Sequence, residues 1–588
     1  MNATFSEPTS ERGAPCPDSR TWDSTSSGAR RAFPLTAILF LLLTATISLL
    51  WSHHKLLSQD EFFALQTDSA QTVSQLIHIQ RTTPISLDPL VPHLLAHFAM
   101  RVFGAGAFAL RLPAFLGYLT MQVCLFFIVR RFYLDPTTGD RAGIFALAFP
   151  ALTATLFYSA EGRPYGLLLG LYALTLLAWQ SAIHRPATNL ENLSFRSAKN
   201  CHPERSEGPA CRTAPNPGPT QPTQNLPKGP AFGTWVWLPL LSFSIALTLN
   251  SHYFGVLLLI PLCAAEISRT IDRRRIDIPV VSAIVAGMAA IVFALPFEKS
   301  AAEFRLHYYN GGTVDLRAIT QSYRALFVDY THASLHTQHI AAIAFVISTL
   351  ILISAFLYRN CDRTLQPPFP ESVFIFVLAA LPFFGFLLAR FVTHSIEVRY
   401  VLGAIIGIST LLAVVLAPTL RRDATYRIAL ALLFAAIPVS GLLRIHAEIR
   451  TTKEIRTSLV LSPELKAAIL ASPTQLLYIQ DMGHFEVASY YEPDPFIRSH
   501  MALLYSRDNE ILYDGHDTVS LTAMHMRAFT GFPIVAYDDL KRQPGPHILV
   551  LFHSGWDWTD QALAESRAQI TPLGPAFGGD AVSVRFAP

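Results

Sequence analysis

The chain has 588 residues, of which 51% are hydrophobic and only 15% charged, with a mean hydropathy of +0.34. At that hydropathy, apolar residues gathered in long blocks exclude an ordinary soluble globule and identify a polytopic membrane protein. The formal net charge of +3 is small, and Arg and Lys gather at the ends of apolar runs, not in one patch, which excludes a nucleic-acid partner.

Residues 1–31 read as a polar, disordered cytoplasmic tail. They do not read as a signal peptide, because the next apolar run is too long for one and lacks a clear cleavage site. That run, Ala32 to Trp51, has no ionisable side chain. Roughly 20 helical residues rising ~1.5 Å each cross ~30 Å of hydrocarbon. Further apolar blocks at 106–129, 142–158, 164–183, 234–249, 253–267, 278–297, 339–358, 371–390, 399–417 and 426–444 predict about eleven transmembrane helices in all. Arg30 and Arg31 precede the first block and place the N-terminus in the cytoplasm if positive residues stay inside. Alternating from there, the inside loops hold Arg130, Arg131 and Arg141, then Arg185, then Arg269 with Arg273, Arg274 and Arg275, then Arg359 and Arg363, then Arg421 and Arg422. Charge and alternation agree at every turn, so the expectation is a multi-pass protein of the cytoplasmic (inner) membrane with an exported C-terminal segment.

Cys16, Cys201, Cys211 and Cys361 fall on the expected inside, and Cys124 and Cys263 lie within spans. No disulfide framework or zinc-spaced cluster is implied. Residues 186–231 are rich in Pro, Gly, Asn, Thr and Ser and read as a disordered cytoplasmic insertion.

The first exported loop, about 52–105, carries an acidic pair, Asp60 and Glu61, nine and ten residues beyond Trp51. Further along, His93, His97 and Arg101 recur every four residues, with Leu94, Leu95, Phe98 and Val102 elsewhere, which predicts an interfacial amphipathic helix. Its histidines read as a solvated polar face in preference to metal ligands. Arg111, Arg163 and Arg399 then lie at outer ends of spans, where positive residues are under-used. Each could snorkel to headgroups, or pair with a neighbour such as Glu161 or Glu397. Three of them beside an acidic pair favour an anion site, because Arg supplies permanently charged, multidentate donors to a phosphate ester.

Residues 446–588 have a different texture. Ser462 and Pro463 begin a short helix, and 476–479, 534–537, 548–552 and 581–586 read as strands of a small exported α/β domain. Asp481, His484, Glu486, His547, His553 and Trp556 fall in it without nucleophile or metal spacing. Acceptor docking, shielding of the site and simple stabilisation all remain open as its role.

The ordered set of Asp60-Glu61, Phe108-Ala109-Leu110-Arg111-Leu112-Pro113, Glu161-Gly162-Arg163-Pro164-Tyr165, His252-Tyr253-Phe254-Gly255 and Arg399-Tyr400 resembles the polyprenyl-phosphate-sugar-dependent glycosyltransferases of the GT-C superfamily. The branch it most resembles is that of the protein O-mannosyltransferases and aminoarabinose transferases, over residues 33–445. The resemblance implies a GT-C-like all-α transmembrane domain at 32–445 and an inverting transfer from a lipid-phosphate sugar to an acceptor hydroxyl. One departure is that Leu87-Asp88-Pro89-Leu90-Val91 stands where relatives often have a His-Pro-Pro-Leu-Tyr-like segment. Any contact made by that His or Tyr is therefore not carried over.

The residues suit such chemistry. An attacking hydroxyl must lose its proton, which makes Asp60 the candidate general base, with Glu61 as neighbour, orienter or substitute. Arg163 and Arg399 would stabilise the departing lipid phosphate, with Tyr165, His252, Tyr253 and Tyr400 as donors and Arg111, Glu161 and Glu397 in support. Phosphate is already a good leaving group, so no metal or other cofactor is expected to be essential. The expected partners are the polyprenyl-phosphate sugar donor, membrane lipid and an acceptor of open identity: lipid, protein or glycan. A flippase for lipid-linked sugars would also need outer cations, but should carry mid-span charges or repeat-related broken helices. A membrane-anchored binding protein would leave Asp60 and Arg163 unexplained.

Overall fold

With no water to serve its backbone N–H and C=O groups, a charge-free run must satisfy them internally, and Leu35–His54 does so as helix α1. The computed structural model describes residues 33–184, 236–308, 314–328, 367–394, 396–471, 475–553 and 558–586. The expected tail 1–31, the insertion 186–231, the apolar block 339–358, Cys16, Cys201, Cys211, Cys361 and Trp556 lie outside the described residues.

Three helices follow α1 before the chain re-enters the apolar bundle: α2 (Gln59–Asp68), α3 (Val73–Thr82) and α4 (Leu90–Phe103). Next come α5 (Ala107–Arg130), α6 (Pro136–Ala148) and α7 (Tyr165–Ile183), then α8 (Trp237–Leu249), α9 (Leu259–Arg273), α10 (Ile278–Ala289), α11 (Leu295–Tyr308) and α12 (Arg317–Phe327). The bundle closes with α13 (Phe369–Ala379), α14 (Leu381–Leu388), α15 (Ala404–Leu420) and the 36-residue α16 (Asp423–Ser458).

Five described helices are long and apolar enough to cross a membrane: α1, α5, α7, Tyr253–Arg273 and α16. Residues Phe369–Ala379 and Leu381–Thr393 would make a sixth span, bent by 55°. Several of the other expected spans fold as shorter apolar helices, among them α8, α10 and α15. The block expected at 142–158 is not one helix. α6 stops at Ala148 and two 3-10 turns, Phe149–Leu152 and Ala154–Ser159, replace it. Pro150 explains the break, since it has no N–H to donate and its ring collides with the carbonyl four residues back.

α7 is the hub, with 89% of its apolar window buried. It packs on α5 almost backbone to backbone: a Cβ on Gly117 would lie 2.4 Å from the Cα of Leu167, and one on Gly170 would lie 2.4 Å from the carbonyl oxygen of Gly117. Gly166 and Gly170 form a small-xxx-small pair, which lets apolar helices approach where no hydrophobic drive favours association. That contact fixes the N-terminal ends of α5 and α7 side by side, and these ends carry Arg111 and Arg163-Pro164-Tyr165.

α4 is amphipathic as the spacing predicts, but the expectation of a solvated histidine face is overturned. His93 and His97 are buried, at 2% and 3% exposure. His93 Nδ1 lies 2.6 Å from Asp68 Oδ1 and His97 Nδ1 is 2.9 Å from the Asp68 carbonyl. Asp68, itself buried at the end of α2, needs hydrogen-bonding partners and draws both rings inward, leaving Leu95, Phe98, Val102 and Phe103 on the outer face.

The C-terminal unit has a six-stranded sheet in the order β3-β2-β1-β4-β6-β5. The strands β1 (Leu477–Ile479), β2 (Met501–Tyr505), β3 (Ile534–Ala536) and β4 (His547–Leu551) run parallel, and β6 (Gly579–Arg585) and β5 (Gln569–Ala576) extend it antiparallel. β2 and β5 lack a clear sequence signature: Met-Ala-Leu-Leu-Tyr has no β-branched residue, and β5 contains Pro572, Gly574 and Pro575 at an irregular edge. The helix α17 (Pro463–Ala471) starts at Ser462, whose Oγ accepts from Leu465 N at 3.2 Å.

This unit leans on the membrane bundle through α18 (Met482–Tyr491). The Tyr491 hydroxyl accepts the Leu57 N–H at 3.0 Å, and the Phe62 ring meets Tyr490 edge-on at 5.4 Å. Phe63 of α2 packs into the core formed by β1, β2, β4 and Phe485. A Gly117→Val change should push α5 off α7 and destabilise the chain by about 1–3 kcal/mol. Thermal unfolding in detergent should show the loss, whereas Leu116→Val, on an exposed position of the same helix, should leave the midpoint nearly unmoved.

Candidate active site

The site is organised around an acid that water does not reach. Ser58 opens α2 and Glu61 sits at its third position, where one oxygen returns to the Ser58 N–H at 3.0 Å. Burial alone would raise the Glu61 pKa, but Lys55 and Arg111 overcome it and hold the group well below the usual carboxylate range. Lys55 Nζ is 2.8 Å from Oε2, while Arg111 Nε and Nη2 lie 2.6 and 2.9 Å from Oε1 and Oε2. The Gly162 N–H donates to Oε1 at 2.6 Å, which needs a glycine, since a Cβ there would lie 2.5 Å from the Leu110 side chain.

Arg111 is equally committed. Its remaining donors reach the carbonyls of Ser52, Lys55 and Leu56 at 2.6, 3.1 and 3.0 Å. These carbonyls belong to the end of α1 and the residues just beyond, where a helix leaves acceptors unserved and favours a cation. Arg111 therefore welds α1, α2 and α5 and does not face the site, contrary to the expectation that it would support an anion directly.

Asp60, one residue before Glu61 on α2, faces the other way and is 38% exposed. Its Oδ2 lies 3.7 Å from Arg163 Nε and 3.5 Å from Arg399 Nη1. Residues 339 positions apart in sequence thus meet in one place. Neither contact is short, and among the described residues the Nε atoms of both arginines are buried without a hydrogen-bond partner. Both guanidiniums stay charged: burial opposes the charge, but Asp88 and Asp60 outweigh it for Arg163, and Tyr165 and Glu397 head the groups that do so for Arg399. Glu397 is 3.5 Å from Arg399 Nε and half exposed.

Asp88 is the residue sequence reasoning missed. It marked only a departure from the relatives' pattern, yet its Oδ2 lies 3.3 Å from Arg163 Nη1 and its Oδ1 3.8 Å from His252 Nε2. The available signal was its place before Pro89, at the start of α4, where a carboxylate has no aqueous outlet. Behind Arg163 a cavity of about 20 Å³, room for about one water, is lined by Asp68, Asp88 and His93.

Aromatic rings floor the cluster. Tyr165 lies under both guanidiniums, each 5.9 Å from its centroid, and beside the His252 ring at 5.3 Å. Tyr400 stacks on Phe254 at 3.9 Å. His252 Nδ1 accepts the Phe254 N–H at 3.1 Å, so a neutral ring carries its proton on Nε2, toward Asp88. Burial drives its pKa down to about 4, which keeps it neutral. Tyr253 begins the adjoining 3-10 turn and is half-buried. Glu161, also half-buried, has its pKa raised to about 7 by burial and by the nearby Glu61 and Asp60, against Lys55 and Arg163. Among the described residues no group of three His, Cys, Asp or Glu side chains is placed to hold a metal ion.

Residues 88–190 match the family model of dolichyl-phosphate-mannose-protein mannosyltransferases, a segment that contains Asp88, Arg111, Glu161, Arg163 and Tyr165. In structure, the chain aligns with ArnT from Cupriavidus metallidurans bound to undecaprenyl phosphate at a TM-score of 0.53 and 12% identity, over 93% of this chain and 97% of that one. The apo state of the same protein gives a TM-score of 0.54 with the same identity and coverage. The chain therefore shares its fold with that membrane protein. Comparison with curated protein sequences gives no significant match.

Two outcomes follow from this cluster. Glu61→Gln removes the shared counter-ion of two buried cations and should cost about 3–5 kcal/mol, seen as loss of folded protein in detergent. For Glu161, the folded pKa of about 7 exceeds the ordinary 4.5, so its stabilising contribution is complete below 4.5 and is lost as pH rises through 7. Melting temperature should therefore fall between about pH 4.5 and 7 in the wild type and stay flatter in Glu161→Gln.

Proposed function

We propose that this chain is a membrane glycosyltransferase that moves a sugar from a polyprenyl-phosphate donor to an acceptor hydroxyl, with inversion, on the outer face of the cytoplasmic membrane. The observation that carries the proposal is Asp60 held between two guanidiniums whose buried Nε donors have no hydrogen-bond partner among the described residues. A phosphate ester is the ligand such donors fit, since it offers several oxygens to a permanently charged fork. The match of residues 88–190 to a family described by a lipid-phosphate sugar supports the same substrate class.

In this reading, Asp60 accepts the proton of the acceptor hydroxyl as that oxygen attacks the anomeric carbon. The bond from that carbon to phosphate breaks, and its electron pair leaves with the lipid phosphate. The phosphate passes from a singly charged diester toward a doubly charged monoester, so Arg163 and Arg399 bind the product side of the reaction better than the substrate side. Asp88 fixes Arg163 from behind, and His252, neutral, offers Nε2–H without adding charge. Tyr165 and Tyr400 supply hydroxyls beside the same two arginines. Glu61 acts through geometry: saturated by Lys55, Arg111 and Gly162, it orients the turn that presents Asp60 and Arg163.

The test is purified protein given a radiolabelled polyprenyl-phosphate sugar and a cell-envelope extract as acceptor source. Wild type should release lipid phosphate and transfer label, and Asp60→Asn should lose about 10²–10⁴-fold in kcat while still binding donor. Arg163→Ala and Arg399→Ala should each weaken donor binding by about tenfold or more. Full activity in folded Asp60→Asn would remove Asp60 as the base.

A further inference from the structure

Glu486 is a buried acid that the reaction just described does not use. It sits on α18, at 1% exposure, where the C-terminal unit meets the helix that carries Asp60. Three neighbours define that contact. A Cβ on Gly483 would lie 3.6 Å from Gln59 Oε1, Glu486 Oε1 accepts from Gln66 Nε2 at 3.4 Å, and Tyr490 meets Phe62. Gln59, Phe62 and Gln66 all belong to α2 and flank Asp60 along it.

Two atoms at this contact are orphans. Among the described residues Glu486 Oε2 and Gln66 Oε1 are both buried with no hydrogen-bond partner. They are the two far ends of the same pair, and one change of state serves both. If Glu486 carries a proton on Oε2, acid and amide can close a ring, with Gln66 Nε2–H donating to Oε1 and Oε2–H donating to Gln66 Oε1. An ionised Glu486 can make only the first bond and would leave a charged oxygen buried and unsolvated.

We propose that Glu486 is a positioning residue for Asp60: the C-terminal unit holds this carboxylic acid, in its protonated form, against Gln66 of α2, and its ionisation in alkali disengages the helix. The inference rests on the transferase reading above. Burial and the Asp60 charge both raise the Glu486 pKa well above the carboxylate range, in the same direction. Asp60 on α2 is the charged group whose field reaches it. The other elements packed on α18, namely β1, β2 and Pro495–Ser499, share its apolar core through Leu477, Ile479, Ile497, Met501 and Leu503. On its own helix, Tyr490 and Tyr491 are turned toward Phe62 and Leu57.

The experiment is a pH series on the detergent-solubilised full chain, as wild type, Glu486→Gln and Glu486→Ala. Wild-type kcat should fall at alkaline pH through a single midpoint to a plateau about tenfold lower, as one proton is lost to hydroxide. Glu486→Gln, whose amide can close the same ring without titrating, should keep the neutral kcat and lose that decline. Glu486→Ala should lower kcat by about tenfold at every pH with the donor KM little changed, since it loosens Asp60 and not the phosphate grip. An unaltered alkaline decline in Glu486→Gln would overturn the proposal. Infrared difference spectra of the same samples supply a readout that needs no turnover. A protonated-carboxyl band lost in alkali should be present in wild type and missing from Glu486→Gln, and identical bands in both would also overturn it. If wild type transfers no sugar, the transferase reading fails while the infrared band still decides whether Glu486 is the acid.

Discussion

Glu61 is an anion placed where water cannot solvate it, and the geometry around the site follows from how its oxygens are served. Four segments each send a donor: Lys55 from the end of α1, Ser58 N–H from the start of α2, Arg111 from α5 and Gly162 N–H from the turn before α7. A buried carboxylate is tolerable only when such partners replace hydration nearly completely. Two elements far apart in sequence are thereby held within one side chain's reach. Asp60 is the chain neighbour of Glu61 itself and Arg163 that of Gly162, which donates to Glu61, so their separation is narrowly set once the knot is tied.

The sequence carried the membrane character, the C-terminal strands that are short apolar runs, and the convergence of Asp60, Arg163, Tyr165, His252, Arg399 and Tyr400. Charges at helix ends and their order along the chain were enough for these, because an unpaired charge near hydrocarbon demands a partner. What could not be read was direction. Asp60 and Glu61 are adjacent acids of similar chemistry, and only the rotation of α2, set by the Ser58 cap and by Phe62 and Phe63 packing on α18 and its sheet, decides which faces the cavity. The same ambiguity inverted α4: four-residue spacing identifies a polar face, but whether it looks toward water or toward a buried Asp68 depends on a partner outside the periodic segment. Arg111 and Arg163 posed the problem again, two arginines at ends of apolar helices, one consumed by structure and one left with a spare donor.

The C-terminal unit is coupled to α2, the helix that carries Asp60, more tightly than a tethered module would be. Leu57 donates to Tyr491, Phe62 and Phe63 pack on α18 and the sheet behind it, and Trp51 of α1 donates to Glu448 of α16, which leads into the unit. α2 is therefore gripped from two sides, by the ion cluster below and by α18 above. A helix of 10 residues has little intrinsic stability, and its orientation has to come from such contacts.

The two arginines differ in a way that bears on how charge is handled. Arg163, 11% exposed, is braced by Asp88 behind it and Tyr165 beneath, whereas Arg399, 32% exposed, rests on a three-residue 3-10 turn with Glu397 beside it. In the proposed reaction the braced donor would stabilise developing charge without reorganising, and the less braced one would have room to adjust to the phosphate. Asp88 would weaken Arg163 as an anion ligand if it neutralised it fully, but the 3.3 Å contact engages Nη1 and leaves Nε aimed at Asp60's side of the cavity. The carboxylate thus sets the orientation of the fork, while the fork's other edge keeps the donor that the proposed phosphate would take. That division of one guanidinium between a structural edge and a binding edge separates Arg163 from Arg111, whose every edge is spent on the fold.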